Sequence, residues 1–173
     1  MDRYAWYLAA LVALGLLVFF APAPAPIAAE AAPMQGVAAA PQNAREAWAV
    51  DLLARLGNDA PSADTVAFVV AWTVAEDSCM QGCGYSSAWE RFNPLNTTQT
   101  GYGAYATING DGVKAYPDYE SGMVATVQTL SYSYYTELVA GLQANDPERA
   151  LRGLYASPWG TSAVHVEQIW RAR

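Results

Sequence analysis

One carboxylate, Glu76, stands at the end of a long apolar segment and is well suited to proton transfer. Residues 65–75 carry no charge, and Trp72 and Phe68 precede Glu76 at helical spacing. The carboxylate therefore continues the apolar stripe that should face the core. Because ionisation there costs hydration energy, we expect a raised pKa and a proton donor near neutral pH. The alternative is a solvated glutamate in the last turn of its helix.

The two cysteines, Cys79 and Cys83, follow Glu76 in a polar loop predicted over residues 77–84. Outside the cytoplasm, cysteines at this spacing can form a disulfide that would hold the loop beside the carboxylate. Two cysteines and one histidine are too few for structural zinc, so no metal and no cofactor is predicted. A thiol nucleophile paired with His165 is disfavoured, because a disulfide would remove the thiol. His165 is expected on a helix over residues 162–173.

The elements that must position Glu76 are predicted to be mostly helical. Asn43 and Glu46 have the spacing of a capping box for a first helix, with Trp48 and Leu52 on its inner stripe. Ser62, Asp118 and Asp146-Pro147 mark the starts of further helices. The predicted elements are helices at 43–56, from 62 to Glu76, 118–130, 131–142 and from 146, and a β-hairpin at 105–116 with its turn at 109–112.

Three motifs after Glu76 occur in an order that resembles a known family. They are FNPLNTT at residues 92–98, VKAYPDYESG at 113–122 and SPWGT at 157–161. The set resembles the lysozyme-like peptidoglycan-degrading domains of actinobacteria and phages, which are related to flagellar-type glucosaminidases and lytic transglycosylases. The resemblance covers most of residues 43–173 and implies an α+β, mainly α, two-lobed domain with one β-hairpin opposite the catalytic helix.

The resemblance also implies roles for single residues. Glu76 would protonate the glycosidic oxygen of the MurNAc–GlcNAc linkage in peptidoglycan strands. Residues 92–98 would line the substrate cleft, which makes Asn93, Asn96 and Thr97 candidates for substrate binding. The alternative for each of them is a turn whose side chains bond its own backbone.

Tyr116 corresponds to the family's tyrosine at the close of the hairpin. Trp159 could form the floor of a sugar subsite, although a tryptophan between proline and glycine more often packs over a helix end. Asp111 is the best-placed second carboxylate, although its glycine neighbours also fit a plain turn aspartate. The residues are compatible with both a hydrolase and a lytic transglycosylase. The alternative to an enzyme is a non-catalytic, membrane-tethered wall-binding or virion structural protein.

The N-terminal segment is predicted to direct the domain out of the cytoplasm. Residues 4–21 are uncharged and would span about 27 Å as a helix, close to the thickness of a bilayer core. An uncleaved membrane anchor is favoured over a signal peptide cleaved at Ala29-Glu30-Ala31, because the apolar run is long. Residues 22–42, rich in alanine and proline, form a linker.

Composition limits the partners. With nine Lys and Arg against sixteen Asp and Glu, the net charge of −7 argues against nucleic acid. Six Trp and eleven Tyr suit a sugar-binding groove, although cores and membrane interfaces use the same residues. The composition does not indicate an oligomeric state.

Overall fold

The computed structural model describes residues 42–82 and 88–173, with the side chains except those of residues 42, 43 and 78–82. These residues are mainly helical with a small two-stranded antiparallel sheet, which confirms the α+β, mainly α class. The elements are α1 (Gln42–Arg55), α2 (Ala63–Gly82), β1 (Ala106–Thr107), β2 (Lys114–Ala115), α3 (Tyr119–Leu130), a 3₁₀ helix (Ser133–Tyr135), α4 (Thr136–Gln143), α5 (Pro147–Ala156) and α6 (Ala163–Arg171).

Helix α1 packs against α2 through the stripe that the sequence predicts. Trp48 and Leu52 are buried, and Leu56 packs against the same core. Gly57 follows with a φ of 94°, the left-handed conformation expected at the end of a helix. The helix begins one residue before Asn43, so the prediction that Asn43 caps it from outside is wrong.

Helix α2 is the central element of the fold. Ser62 caps its start as predicted, because its Oγ accepts a hydrogen bond from the backbone N–H of Thr65 at 3.2 Å. From Phe68 to Asp77 every residue except Val74 is buried. A single stripe was expected, but α1 and α6 both pack against α2 and cover the uncharged segment on nearly all sides.

Helix α2 also runs past Glu76 to Gly82, so the predicted loop at residues 77–84 begins too early. The reason is the next residue, Asp77, which is buried. Its carboxylate pairs with Arg45 of α1 at 3.0 Å and accepts a hydrogen bond from the backbone N–H of Ala88 at 2.9 Å. Because this charge is compensated inside the fold, the helix does not have to end where the charge appears.

Strands β1 and β2 form the predicted antiparallel hairpin. Ala106 pairs with Ala115, and Thr107 pairs with Lys114. The turn between the strands ends at Gly112, which has a φ of 90° that favours glycine. The hairpin is short and therefore depends on its attachment to the rest of the domain.

Asp118 caps α3 as predicted, and its carboxylate accepts a hydrogen bond from a backbone N–H in the first turn. The helix ends at Leu130, also as predicted. Its buried face includes Met123 and Leu130, whereas Val124 and Val127 are only half-buried.

The predicted helix over residues 131–142 is interrupted. Tyr132 is extended, and the 3₁₀ helix Ser133–Tyr135 follows before α4 begins. Leu138 is buried, while Tyr132 and Tyr134 are exposed. The break therefore places a group of tyrosines on the surface where the sequence predicts a continuous helix.

The last two helices match the prediction. The side chain of Asp146 accepts a hydrogen bond from the first turn of α5, and Pro147 is the first helical residue. The turn at residues 157–161 separates α5 from α6, which lies inside the predicted range 162–173.

Several predictions concern residues outside those described. These are the anchor or signal peptide at residues 1–21, most of the linker at 22–42, and the disulfide, since Cys83 and the side chain of Cys79 are not described. In residues 42–82 and 88–173, none of the helices has both the length and the apolar composition of a membrane span.

Candidate functional site

The carboxyl group of Glu76 is held by two hydrogen bonds at the wall of a cavity. The residue is 3% exposed. Its Oε1 accepts a hydrogen bond from the indole N–H of Trp159 at 2.5 Å, and its Oε2 accepts one from the side-chain amide of Asn96 at 2.9 Å. Both donors are neutral, so they fix the orientation of the group without supplying a full positive charge.

Burial raises the pKa of Glu76 above its usual value of 4.5, because an enclosed carboxylate loses hydration. Nearby polar groups of Thr161, Trp159, Asn96 and Trp72 lower the pKa but do not cancel this effect. The group therefore keeps its proton to a higher pH than an exposed glutamate does, as expected from its apolar neighbours in the sequence.

Trp159 lies in the turn between α5 and α6 and covers Glu76. Its ring makes edge-to-face contacts with Trp72 at a centroid distance of 4.6 Å and with Tyr135 at 5.4 Å. Its backbone N–H donates to the hydroxyl of Ser157 at 3.3 Å. Trp159 thus has a defined position, and it lines the cavity as the prediction of a sugar-subsite residue requires.

Asn96 has a φ of 52°, a conformation that asparagine tolerates better than most residues. The guanidinium of Arg91 donates to its Oδ1 at 3.1 Å. This contact directs the amide nitrogen of Asn96 toward Glu76, where it also donates to the backbone carbonyl at 3.2 Å. Asn96 is therefore a positioning residue for the carboxyl group as well as part of the cavity lining.

Asn93 and Tyr116, both predicted to bind substrate, lie behind the cavity wall. Asn93 is fully buried, and its amide donates to the carbonyls of Thr97 at 2.9 Å and Lys114 at 2.7 Å. Tyr116 is also fully buried and donates to the carbonyl of Gln99 at 2.9 Å. Neither belongs to the cavity lining. Their hydrogen bonds instead attach the turn containing Thr97 to strand β2.

The cavity has a volume of about 430 Å³, within the range of small-molecule sites. Thr97, predicted from the motif, contributes to it, and so does Thr161 of the SPWGT motif. Thr129 and Tyr135 were not foreseen, because they come from segments outside the motifs. The lining residues are Glu76, Leu95, Asn96, Thr97, Thr98, Asn109, Asp111, Val113, Thr129, Tyr135, Pro158, Trp159, Gly160 and Thr161.

Asp111 lies in the hairpin turn and is exposed. Its backbone N–H donates to Oδ1 of Asn109 at 3.1 Å, the contact of an ordinary Asx turn. Asp111 nevertheless lines the same cavity as Glu76. The structure therefore brings the two candidate carboxylates to one cavity, with Glu76 buried and Asp111 solvated.

A polar cluster that the sequence did not predict holds α2 against α1. Arg45 of α1, only 8% exposed, donates to Asp77 at 3.0 Å and to the hydroxyl of Thr73 at 3.2 Å. Its guanidinium also lies 5.1 Å from the ring centroid of Trp89. The sequence indicates that Arg45 is buried, because it lies three residues before Trp48 on the stripe predicted to face the core.

His165 is exposed on α6 and does not belong to the cavity lining. In the described part of the chain, no group of three or more His, Cys, Asp or Glu side chains is placed to hold a metal ion.

We compared the chain with protein-family models, curated proteins and solved structures, and none matched. The chemistry of the cavity and the ordered sequence motifs are therefore the grounds for a functional proposal.

Proposed function

We propose that this domain cleaves the MurNAc–GlcNAc linkage of peptidoglycan strands, with Glu76 as general acid, in a lysozyme-like, two-lobed arrangement. The observation that carries the proposal is the environment of Glu76. A carboxyl group that is 3% exposed and has a raised pKa lies at a cavity of about 430 Å³. The proton donor of a glycosidase needs a raised pKa and a position next to the space that the sugar occupies.

In the first step, Glu76 transfers its proton to the glycosidic oxygen as the bond from this oxygen to the sugar carbon breaks. The sugar develops oxocarbenium character, and the leaving strand departs as an alcohol. The Glu76 carboxylate that results is stabilised by the N–H groups of Trp159 and Asn96. These donors are in place before the reaction, so the charge needs little rearrangement.

Two second steps fit the cavity. The Glu76 carboxylate can take the proton of the sugar's own 6-hydroxyl, which attacks and forms an anhydro product, as in a lytic transglycosylase. Alternatively, a water molecule attacks the sugar carbon while the carboxylate of Asp111, which lines the same cavity, takes its proton, and a reducing end forms. Mass spectrometry of the products distinguishes the two, and Asp111→Asn should reduce turnover only in the second case.

We propose that the domain acts outside the cytoplasm, held to a lipid bilayer through residues 4–21, or secreted if cleaved near Ala31. The uncharged segment and the alanine- and proline-rich residues after it support this location. The intact mass of protein purified from the membrane fraction tests whether the segment is retained.

The second candidate is a non-catalytic wall-binding or virion structural protein. The observation that favours it is that both oxygens of Glu76 already accept hydrogen bonds within the fold. A carboxyl group so enclosed can serve packing alone. This candidate predicts that peptidoglycan binds but is not cut.

Glu76→Gln tests the proposal, because glutamine has a similar shape but cannot donate the proton. We expect it to abolish clearing of a peptidoglycan-containing gel, a loss of at least about a hundredfold. Glu120→Gln, the same change at an exposed carboxylate on α3, is the matched control and should clear like the parent. Equal clearing by Glu76→Gln and the parent would refute the assignment.

A further inference from the structure

Three tyrosines near the start of α4 form a continuous group of rings, which we call the tyrosine group: Tyr132, Tyr134 and Tyr135. The rings of Tyr132 and Tyr134 are stacked, with centroids 5.5 Å apart and planes at 28°. Tyr134 contacts Tyr135 edge-to-face at 4.6 Å. Tyr132 and Tyr134 are 41% and 52% exposed, whereas Tyr135 is buried.

The tyrosine group is continuous with the cavity of Glu76. Tyr135 and Trp159 both line this cavity, and their ring centroids are 5.4 Å apart. At the end of the tyrosine group away from Tyr135, the amide of Gln99 donates to the hydroxyl of Tyr132 at 3.3 Å. A row of aromatic rings therefore runs from the buried carboxyl group to the surface, past the loop that follows the cavity-lining Thr97 and Thr98.

The exposed stack is not explained by core packing. Tyr132 and Tyr134 do not belong to the main core, which Tyr134 contacts through Tyr135. Their exposed ring surfaces gain little from folding, and a ligand that covers them would gain from their burial. A flat apolar ring with a polar tip suits the apolar face of a pyranose and its hydroxyl groups.

We propose that Tyr132 and Tyr134 form an outer subsite, which stacks on sugars of the glycan strand beyond those held in the cavity. This inference rests on the proposed function for its ligand class. A cavity of about 430 Å³ accommodates only a few sugar units, so a polymer must leave it across the neighbouring surface. The outer subsite would make the protein prefer long strands to short fragments.

The test measures binding rather than cleavage, with the full-length chain carrying Glu76→Gln so that the ligand is not consumed. Peptide-free glycan strands from peptidoglycan, sorted by length, are titrated by calorimetry with detergent present throughout. We expect the affinity to rise with strand length by about tenfold, and the added change Tyr132→Ala/Tyr134→Ala to remove this rise while leaving short fragments unaffected.

Two further variants, with thermal unfolding measured for each, distinguish a loss of binding from a loss of folding. Tyr155→Ala removes a tyrosine that is 49% exposed on α5 and outside the cavity lining, so it should bind like the parent. Tyr134→Trp keeps an aromatic ring and should retain the length dependence. Thermal unfolding midpoints close to that of the parent show that each variant is folded.

The outcomes separate this inference from the proposed function. If the wild-type chain cuts glycan but the tyrosine variants show the same length dependence as the parent, the outer subsite is refuted and the enzyme stands. If the chain cuts nothing yet binds long strands through Tyr132 and Tyr134, the enzyme is refuted and the subsite stands. If glycan strands are neither bound nor cut, both are refuted.

Discussion

Opposing effects act on the carboxyl group of Glu76. Burial favours the neutral form, while the N–H groups of Trp159 and Asn96 favour the ionised form. Burial is the larger effect, so the pKa is raised. Because the donors reduce the cost of ionisation without removing it, the group can hold a proton and also release it, as the proposed role of general acid requires.

Stability should depend on pH through this residue. Because folding raises the pKa of Glu76, the folded parent binds its proton more tightly than the unfolded chain does. The parent should therefore lose stability as the pH rises above 4.5 through the raised pKa, whereas Glu76→Gln should not show this loss. The stability of the variant relative to the parent should thus increase with pH and then level off.

At low pH the parent should be more stable than Glu76→Gln. There the parent carries a neutral carboxylic acid, and the glutamine variant directs its NH₂ group at one of two N–H donors. The unpaired donor should cost about 1 kcal/mol. Urea unfolding from about pH 4 to about pH 8 measures the difference. A stability difference that is constant over this range would contradict the raised pKa.

Glu120→Gln provides a control of opposite sign for the same measurement. The hydrogen bond from Arg55 lowers the pKa of Glu120, so this carboxylate adds stability above its usual pKa that is lost as the pH falls. The contribution is small because the side chain is exposed, and its removal should make the variant relatively less stable as the pH rises.

At the scale of elements, the ion pair between Arg45 and Asp77 joins α1 to the helix that carries Glu76. Asp77→Asn should destabilise the protein by about 3 kcal/mol, because the buried guanidinium loses its charged partner. The asparagine keeps an oxygen for the backbone N–H of Ala88, so the loss reports mainly on the charge. Urea unfolding provides the measurement.

The exposed pair of Arg55 and Glu120, at 2.7 Å, is the comparison. Its removal by Glu120→Gln should cost less than about 1 kcal/mol, since solvent screens both charges. Equal losses for Asp77→Asn and Glu120→Gln would show that burial of the Arg45–Asp77 pair has no special role.

At the scale of the whole molecule, the segment that bears Asn96 is seated on α3 through Gly122. A Cβ built at Gly122 would lie 1.7 Å from the backbone oxygen of Phe92, so the segment could not keep its position. Gly122→Ala should therefore destabilise the protein by about 2 kcal/mol and also weaken clearing of peptidoglycan, because Asn96 would shift away from Glu76.

Gly110→Ala is the matched control for this prediction. A Cβ at Gly110 meets nothing within 4 Å, and the residue does not need a positive φ. This variant should unfold and clear like the parent. If Gly122→Ala kept the parental unfolding midpoint and activity, the close packing of the segment on α3 would not be what positions Asn96.

The sequence alone predicts the helix of Glu76, the caps at Ser62 and Asp118, and the hairpin. These depend on local rules: side chains that satisfy backbone N–H groups, turn residues that adopt the required φ, and apolar residues at helical spacing. It also predicts the raised pKa of Glu76, because a long uncharged segment around one carboxylate already implies burial.

Only the tertiary structure decided which groups surround that carboxyl group. Trp159 lies far along the chain from Glu76, and nothing local to either residue encodes their hydrogen bond. Asn93 and Tyr116 belong to the expected motifs, but their side chains are buried behind the cavity wall. Asp77 pairs with Arg45 and lies within α2, where the sequence predicts a loop. Such contacts depend on how distant elements pack together, and a pattern of neighbouring residues does not contain that information.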